Sequence, residues 1–227
     1  MKVHKAKNDY PGPSRNEISA AGFSLIELVM SMTLTLLILG VAIATFTGAL
    51  GSRDRESSRT DAMTSAQAAL NIMSREIGNS GYGLISNGIV VGDCDGNKLH
   101  FRANVENTGG SSGQTDQPGE DVTFYFHEDD VVTRKGSVVR FDRVAGTSGV
   151  INRVSDVDFA YFDYVVDPVT GVLTVSGPLT SASANTARVT ITLKVFLADV
   201  RGQPANRIET VTSDVTLRNS IYMREQY

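Results

Sequence analysis

The segment at residues 23–50 constrains this chain more than any other. It holds a single ionisable side chain, Glu27, in an otherwise apolar or small polar run. A helix needs roughly 20 such residues to cross the hydrocarbon core of a bilayer, so the segment is long enough. A carboxylate inside a membrane span costs roughly 2.5–3.5 kcal/mol on insertion scales and normally has a cationic partner. The sequence therefore predicts one membrane-spanning helix in which Glu27 requires a positive charge.

The residues before this segment offer a source for that charge. Ala20, Ala21 and Gly22 are small enough for a peptidase site, and cleavage after Gly22 leaves Phe23 with a free α-amino group. A secretory signal has its small-residue site after the apolar region, which is then discarded. Here the small residues come first, so cleavage removes residues 1–22 and keeps the span. An ammonium group that faces a carboxylate in an apolar medium lowers the cost that either bears alone.

This arrangement resembles that of the type IV prepilin family. The resemblance is carried by the sequence GFSLIEL at residues 22–28, where a glycine precedes an aromatic residue and a glutamate stands fifth after the cut. In that family a prepilin peptidase cleaves after the glycine and methylates the new amine, and the glutamate pairs with the N-terminal amine of a neighbouring subunit. The resemblance thus implies cleavage between Gly22 and Phe23, N-methylation of Phe23 and subunit assembly through Glu27. The implied partners are the prepilin peptidase, other major and minor pilins, the inner-membrane pilus assembly platform and membrane lipid.

Two further stretches are similar to PilW-type minor pilins. They are SAQAALNIMSREIGNSGYG at residues 65–83, where a helix ending in Arg-Glu runs into Gly-Tyr, and SDVTLRN at residues 213–219. They favour a minor pilin of the pilus initiation or tip complex over a major one. A J-type minor pseudopilin of type II secretion and a pilus-anchored binding or adhesion module are the alternatives. The implied location is the inner membrane, single-pass with a cytoplasmic N-terminus, and then the pilus, periplasm or cell surface.

The chain divides into four predicted parts. Residues 1–22 are a cleaved leader, 23–50 a transmembrane and filament-core helix, 51–78 its amphipathic continuation, and 79–227 a β-rich globular domain. In the third part apolar residues recur at helical spacing and predict one buried stripe. The stripe consists of Ala62, Ala66, Leu70, Met73 and Ile77.

The last part contains short apolar or alternating segments bounded by turn residues, which predict about eight or nine strands. The segments lie at residues 89–91, 98–105, 122–127, 131–134, 138–143, 157–166, 172–175, 188–197 and 208–217. Asp95-Gly96 between the first two is a strong hairpin signal. No second helix is predicted. The predicted fold class is therefore α+β and pilin-like, with a long N-terminal helix packed on a C-terminal antiparallel β-rich domain.

The distribution of charge argues against nucleic acid as a partner and gives the orientation. The formal net charge is −4 and becomes −6 without the leader, which carries four basic and two acidic residues. A nucleic-acid binder would show a basic surface. The three arginines that follow the span, at positions 53, 55 and 59, alternate with acids, so the basic excess favours a cytoplasmic N-terminus.

No pattern in the chain is typical of an enzyme or a cofactor site. Asp93 and Asp95 are weak candidates for calcium ligands, but the closing glutamate of an EF-hand is missing, and a hairpin turn accounts for them better. The acidic clusters at 120–121 and 128–130 have no partner motif for glycoside hydrolysis. The scattered histidines lack the spacing of a zinc site. Cys94, the single cysteine, is expected to be a small buried side chain.

Overall fold

The computed structural model describes residues 22–106, 115–130, 135–200 and 202–225. The chain separates into two compact units between Ala49 and Leu50. One helix, α1 (Leu25–Gly78), contributes residues to both units. All described strands belong to the second unit, so each unit is described by itself.

The first unit consists, in its described part, of residues 22–49, and all of them are exposed. Five hydroxyl groups in this stretch donate to the backbone carbonyl three or four residues earlier, at 2.7–3.1 Å; they belong to Ser31, Thr33, Thr35, Thr45 and Thr47. These bonds satisfy the hydroxyls within the helix itself, as an apolar medium requires. Among the residues that the structure describes, α1 is the one helix long and apolar enough to cross a membrane.

The second unit begins with the later turns of α1, which bury one face. Ala66, Ala69, Leu70, Met73 and Ile77 are at most 2% exposed and belong to a single core cluster with residues of the sheet. Residue 62 packs against the edge of this cluster and is partly buried. The predicted stripe is therefore confirmed, because a helix with apolar residues three and four apart can bury that face against a sheet.

A seven-stranded antiparallel sheet forms the rest of the second unit in the described ranges. Its strands are β1 (Lys98–Arg102), β2 (Asp121–Asp130), β3 (Lys135–Asp142), β4 (Gly146–Val166), β5 (Leu173–Leu179), β6 (Thr186–Phe196) and β7 (Ile208–Thr216). The order is β1-β2-β3-β4-β6-β7, and β5 pairs with β4. The predicted α+β class is confirmed as one long apolar N-terminal helix followed by an antiparallel sheet.

Strand β4 is long enough for two strands to share one of its edges. β3 pairs with its first half and β5 with its last residues, whereas β6 pairs along the opposite edge. The turn at residues 94–97 fills the space between β3 and β5. There the backbone N–H of Phe159 donates to the carbonyl of Gly96 at 2.7 Å, and Asn97 Nδ2 donates to the carbonyl of Val157 at 2.7 Å. This turn is therefore fixed against the centre of the sheet.

The hairpin predicted around Asp95-Gly96 is present in modified form. Ile89 bridges Phe101, and the N–H of Asp95 donates to the carbonyl of Lys98 at 2.9 Å. The predicted first strand at residues 89–91 is reduced to the bridge at Ile89, and Val91–Asp93 form a 3-10 turn.

Three other sequence predictions differ from the structure or lie beyond it. The first half of β4 was not predicted as a strand, since its sequence, GTSGVINRVSD, lacks a regular alternation. The short helix α2 (Ile221–Glu225) was not predicted either. The predicted strand at 131–134 lies outside the described residues.

Candidate functional site

The start of the first unit carries the residues singled out for processing. Gly22 and Phe23 precede α1, and the side chain of Phe23 is 83% exposed. A Cβ atom added at Gly22 would meet nothing within 4 Å, so the conformation of this chain does not demand glycine there. A requirement for glycine at this position would thus come from another molecule, such as an enzyme that holds the chain closely.

Glu27 lies in the first turn of α1, where the helix dipole favours a negative charge. Its neighbours Ile26 and Leu28 are exposed apolar side chains, and large apolar residues cover the helix as far as Leu50. No described cation forms an ion pair with Glu27. Soluble monomers rarely expose a continuous apolar surface of this extent, and the helix is long and apolar enough to cross a membrane.

A second site, which sequence reasoning missed, lies on the outer face of strands β1–β3. The register places Lys98 opposite Tyr125, His100 opposite Thr123, and Arg102 opposite Asp121. The polar alternation in KLHFR turns Leu99 and Phe101 into the core and leaves the other three outward. This alternation indicates which side chains of β1 face outward. It does not indicate which side chains of the neighbouring strands they contact.

The register builds a chain of charged hydrogen bonds on this face. The imidazole of His100 lies between two carboxylates, with Nδ1 2.8 Å from Asp93 Oδ2 and Nε2 2.6 Å from Asp121 Oδ1. Asp121 Oδ2 also accepts from Arg102 Nε at 3.1 Å and lies 3.4 Å from Arg143 Nε. The Asp121 side chain is only 6% exposed, and these partners offset the free-energy cost of burying its charge.

Each ring nitrogen of His100 therefore faces one carboxylate oxygen, and the imidazole bridges Asp93 and Asp121. Cys94 lies against the backbone of His100, whose N–H donates to the Cys94 sulfur at 3.3 Å. Cys94 is buried, as predicted, and burial raises the pKa of its thiol, which disfavours the reactive thiolate.

The weak metal candidates Asp93 and Asp95 are engaged in the hairpin. Asp93 accepts from Lys98 and His100, and the Lys98 hydrogen bond is the main reason that the pKa of Asp93 is lowered, although burial opposes it. Asp95 Oδ1 accepts the backbone N–H of Asn97 at 2.8 Å. Within the described ranges no group of three or more His, Cys, Asp or Glu side chains is placed to hold a metal ion.

The acidic residues considered as catalytic candidates differ in their surroundings. Glu120 is buried and accepts the backbone N–H groups of Glu106 and Gln117, at 3.1 and 3.0 Å. Glu128 and Asp129 are exposed near the end of β2.

The chain matches no protein-family model, and comparisons with curated proteins and with solved structures give no significant match. The resemblance to prepilins therefore rests on the residues that carry it.

Proposed function

We propose that this protein is a minor pilin, a structural subunit of a type IV pilus that is held in the inner membrane before assembly. Its N-terminus is cytoplasmic, and the β-rich unit faces the periplasm and, in the filament, the exterior. A prepilin peptidase cleaves after Gly22 and methylates the amine of Phe23. Glu27 pairs with the N-terminal amine of a neighbouring pilin.

The single observation that carries this proposal is the exposed first half of α1 with its lone carboxylate. All described residues from 22 to 49 are exposed, and Glu27 has no described cationic partner. Lipid tails can cover the apolar residues but cannot neutralise a carboxylate, which is costly in hydrocarbon. A bundle of identical or related helices covers both, because each neighbour supplies apolar surface and a terminal ammonium.

The hydroxyl groups of the same segment are compatible both with lipid and with a bundle of neighbouring helices. Their bonds to carbonyls of the same helix leave them without need of water, whether lipid or protein surrounds them. Small residues such as Gly40, Ala44 and Gly48 allow close approach of neighbouring helices. The segment is therefore suited to move from a bilayer into a helical filament core.

The test compares Glu27→Ala with Glu56→Ala, which removes an exposed carboxylate from the later part of the same helix. A charged group at the centre of a membrane helix costs roughly 2.5–3.5 kcal/mol, and less near the end of the helix, where Glu27 lies, so its removal cannot hinder insertion and Glu27→Ala should still insert and be cleaved. We expect Glu27→Ala to be absent from sheared filaments and Glu56→Ala to be incorporated like wild type. Immunoblots of membrane and filament fractions measure both.

Normal incorporation of Glu27→Ala into filaments would contradict the proposed role of this residue. Repeating the fractionation in host strains that lack either the pilus motor or the secretion channel separates the two alternatives, because a J-type pseudopilin would depend on the secretion channel.

A further inference from the structure

The outer face of β1–β3 contains a cavity of about 570 Å³ beside the charged chain around His100. This volume lies within the range of roughly 300–1,000 Å³ that is typical of small-molecule sites. We call it the outer pocket and define it by Asp95, Lys98, His100, Arg102, Tyr125 and Phe141. Asp93, Asp121 and Arg143 also line it.

The two ends of the outer pocket differ in charge. At one end Arg102 and Arg143 share a single carboxylate, that of Asp121, so this end keeps an excess positive charge. At the other end Lys98 pairs with Asp93, and the Asp95 carboxylate also lines the cavity, so two carboxylates stand against one ammonium group. An elongated ligand with one anionic group and several hydroxyl donors matches this polarity.

The positive end retains donors for an anion. A guanidinium has five N–H donors. Among the described residues, Arg102 uses one of them, from Nε to Asp121, and its side chain is 46% exposed. Arg143 directs Nε toward Asp121 and one Nη2 hydrogen to the carbonyl of Thr115, and it is 56% exposed. A carboxylate on the ligand can therefore be bound by two guanidinium groups that are already held in place.

The wall between the two ends is aromatic. Phe141 is 43% exposed on this face, opposite Thr123 in the register, and Tyr125 is half-buried next to it. The face of an aromatic ring carries partial negative charge and attracts polarised C–H groups. A pyranose ring has a face of such C–H groups and a rim of hydroxyls, and this combination fits an aromatic wall flanked by charged acceptors.

We propose that the outer pocket binds a saccharide that carries one carboxylate, such as a uronic acid. The carboxylate lies on Arg102 and Arg143, the sugar ring packs on Phe141, and its hydroxyls donate to the Asp93 and Asp95 carboxylates. The two carboxylates repel a polyanion, which disfavours nucleic acid. The proposal does not depend on filament assembly, because the pocket lies wholly within the second unit.

The test uses the full-length protein in detergent and three probes of similar size. Methyl glucuronide has the carboxylate and the hydroxyls, methyl glucoside lacks the carboxylate, and cyclohexanecarboxylate lacks the hydroxyls. Ligand-observed NMR titrations give the dissociation constant of each. We expect methyl glucuronide to bind at least about tenfold more tightly than either analogue, as the loss of one charge-assisted contact implies.

Three variants assign the effect to the pocket. Arg102→Gln should abolish the preference for the glucuronide over the glucoside, and Phe141→Ala should weaken glucuronide binding several-fold. Arg207→Gln, which removes a half-exposed arginine outside the pocket, should change neither. Thermal unfolding of each variant controls for folding.

The proposal is overturned if methyl glucuronide does not bind, if the three probes bind equally, or if Arg102→Gln retains the preference. Equal binding of the glucuronide and cyclohexanecarboxylate would make the pocket an anion site and would also overturn it.

Discussion

The ion cluster around Arg140 offers a quantitative test of how α1 is held on the sheet. Arg140 on β3 donates from Nε to Glu76 Oε2 of α1 at 2.8 Å and from Nη2 to Asp142 Oδ2 at 3.0 Å. The side chains of Arg140, Glu76 and Asp142 are 17%, 24% and 1% exposed. Replacing Arg140 with methionine keeps an unbranched apolar stem but removes the guanidinium and leaves two acids without their cation.

The expected loss follows from burial. Removing one partner of a buried ion pair costs about 3–5 kcal/mol. The lower end applies here, because Asp142 keeps the backbone N–H groups of Gly119, Val144 and Ala145, and Glu76 can reach water. We therefore expect Arg140→Met to lower the free energy of unfolding by about 3 kcal/mol. For a unit of this size that corresponds to a decrease in Tm of about 6–12 °C.

Circular dichroism of the full-length protein in detergent measures the melting of the β-rich unit. Arg207→Met is the matched control, since Arg207 forms an exposed pair with Glu209 at 3.3 Å and such pairs contribute about 0–1 kcal/mol. A double-mutant cycle with Glu76→Gln should give a coupling of at least about 0.5 kcal/mol with Arg140→Met. If Arg140→Met melts within 2 °C of Arg207→Met, the cluster does not fix α1 to the sheet.

Two further predictions concern a carboxylate and a glycine. Burial raises the pKa of Asp142, but the N–H groups of Ala145, Val144 and Gly119 together with Arg140 outweigh it, so its pKa is lowered overall. Its stabilising contribution is therefore present above about pH 3.9, the ordinary value, and is lost as the pH falls through the folded pKa. Urea midpoints below pH 4 should decrease more steeply for wild type than for Asp142→Asn, and parallel curves would exclude this effect. Gly88 has φ +76°, and an added Cβ would clash with the backbone of Gly81 and Arg102, so Gly88→Ala should cost about 3 kcal/mol or more. Gly92→Ala, where a Cβ meets nothing within 4 Å, should shift the urea midpoint little, and equal shifts in the two variants would contradict this explanation.

Local sequence patterns predicted correctly those elements whose buried face repeats with a regular helical or strand period. The stripe from Ala66 to Ile77 repeats at helical spacing and is buried, and the alternation in β6 matches its burial pattern. The Asp95-Gly96 turn was likewise found from its residues, because few other pairs favour a tight reversal.

Features set by contacts between distant segments were not predictable in this way. The start of β4 is a strand because β3 pairs with it. Its own residues do not alternate, and Arg153, with φ 61°, interrupts the regular pleat. The outer pocket arises because the β1–β2 register sets Arg102 opposite Asp121, and the β2–β3 register sets Thr123 opposite Phe141. Alternation specifies which face each residue takes, but not which residue of the neighbouring strand lies opposite, and residues 103–120 separate β1 from β2.

The mature N-terminus is the most direct test of the proposed function. Mass spectrometry of the full-length protein from host membranes should find a chain that begins at Phe23 with a methylated α-amine. Gly22→Val should retain the leader yet melt like wild type in its β-rich unit, because a Cβ at Gly22 meets no described atom within 4 Å. A wild-type protein that keeps residues 1–22, or one that is cut after the apolar segment, would contradict the account.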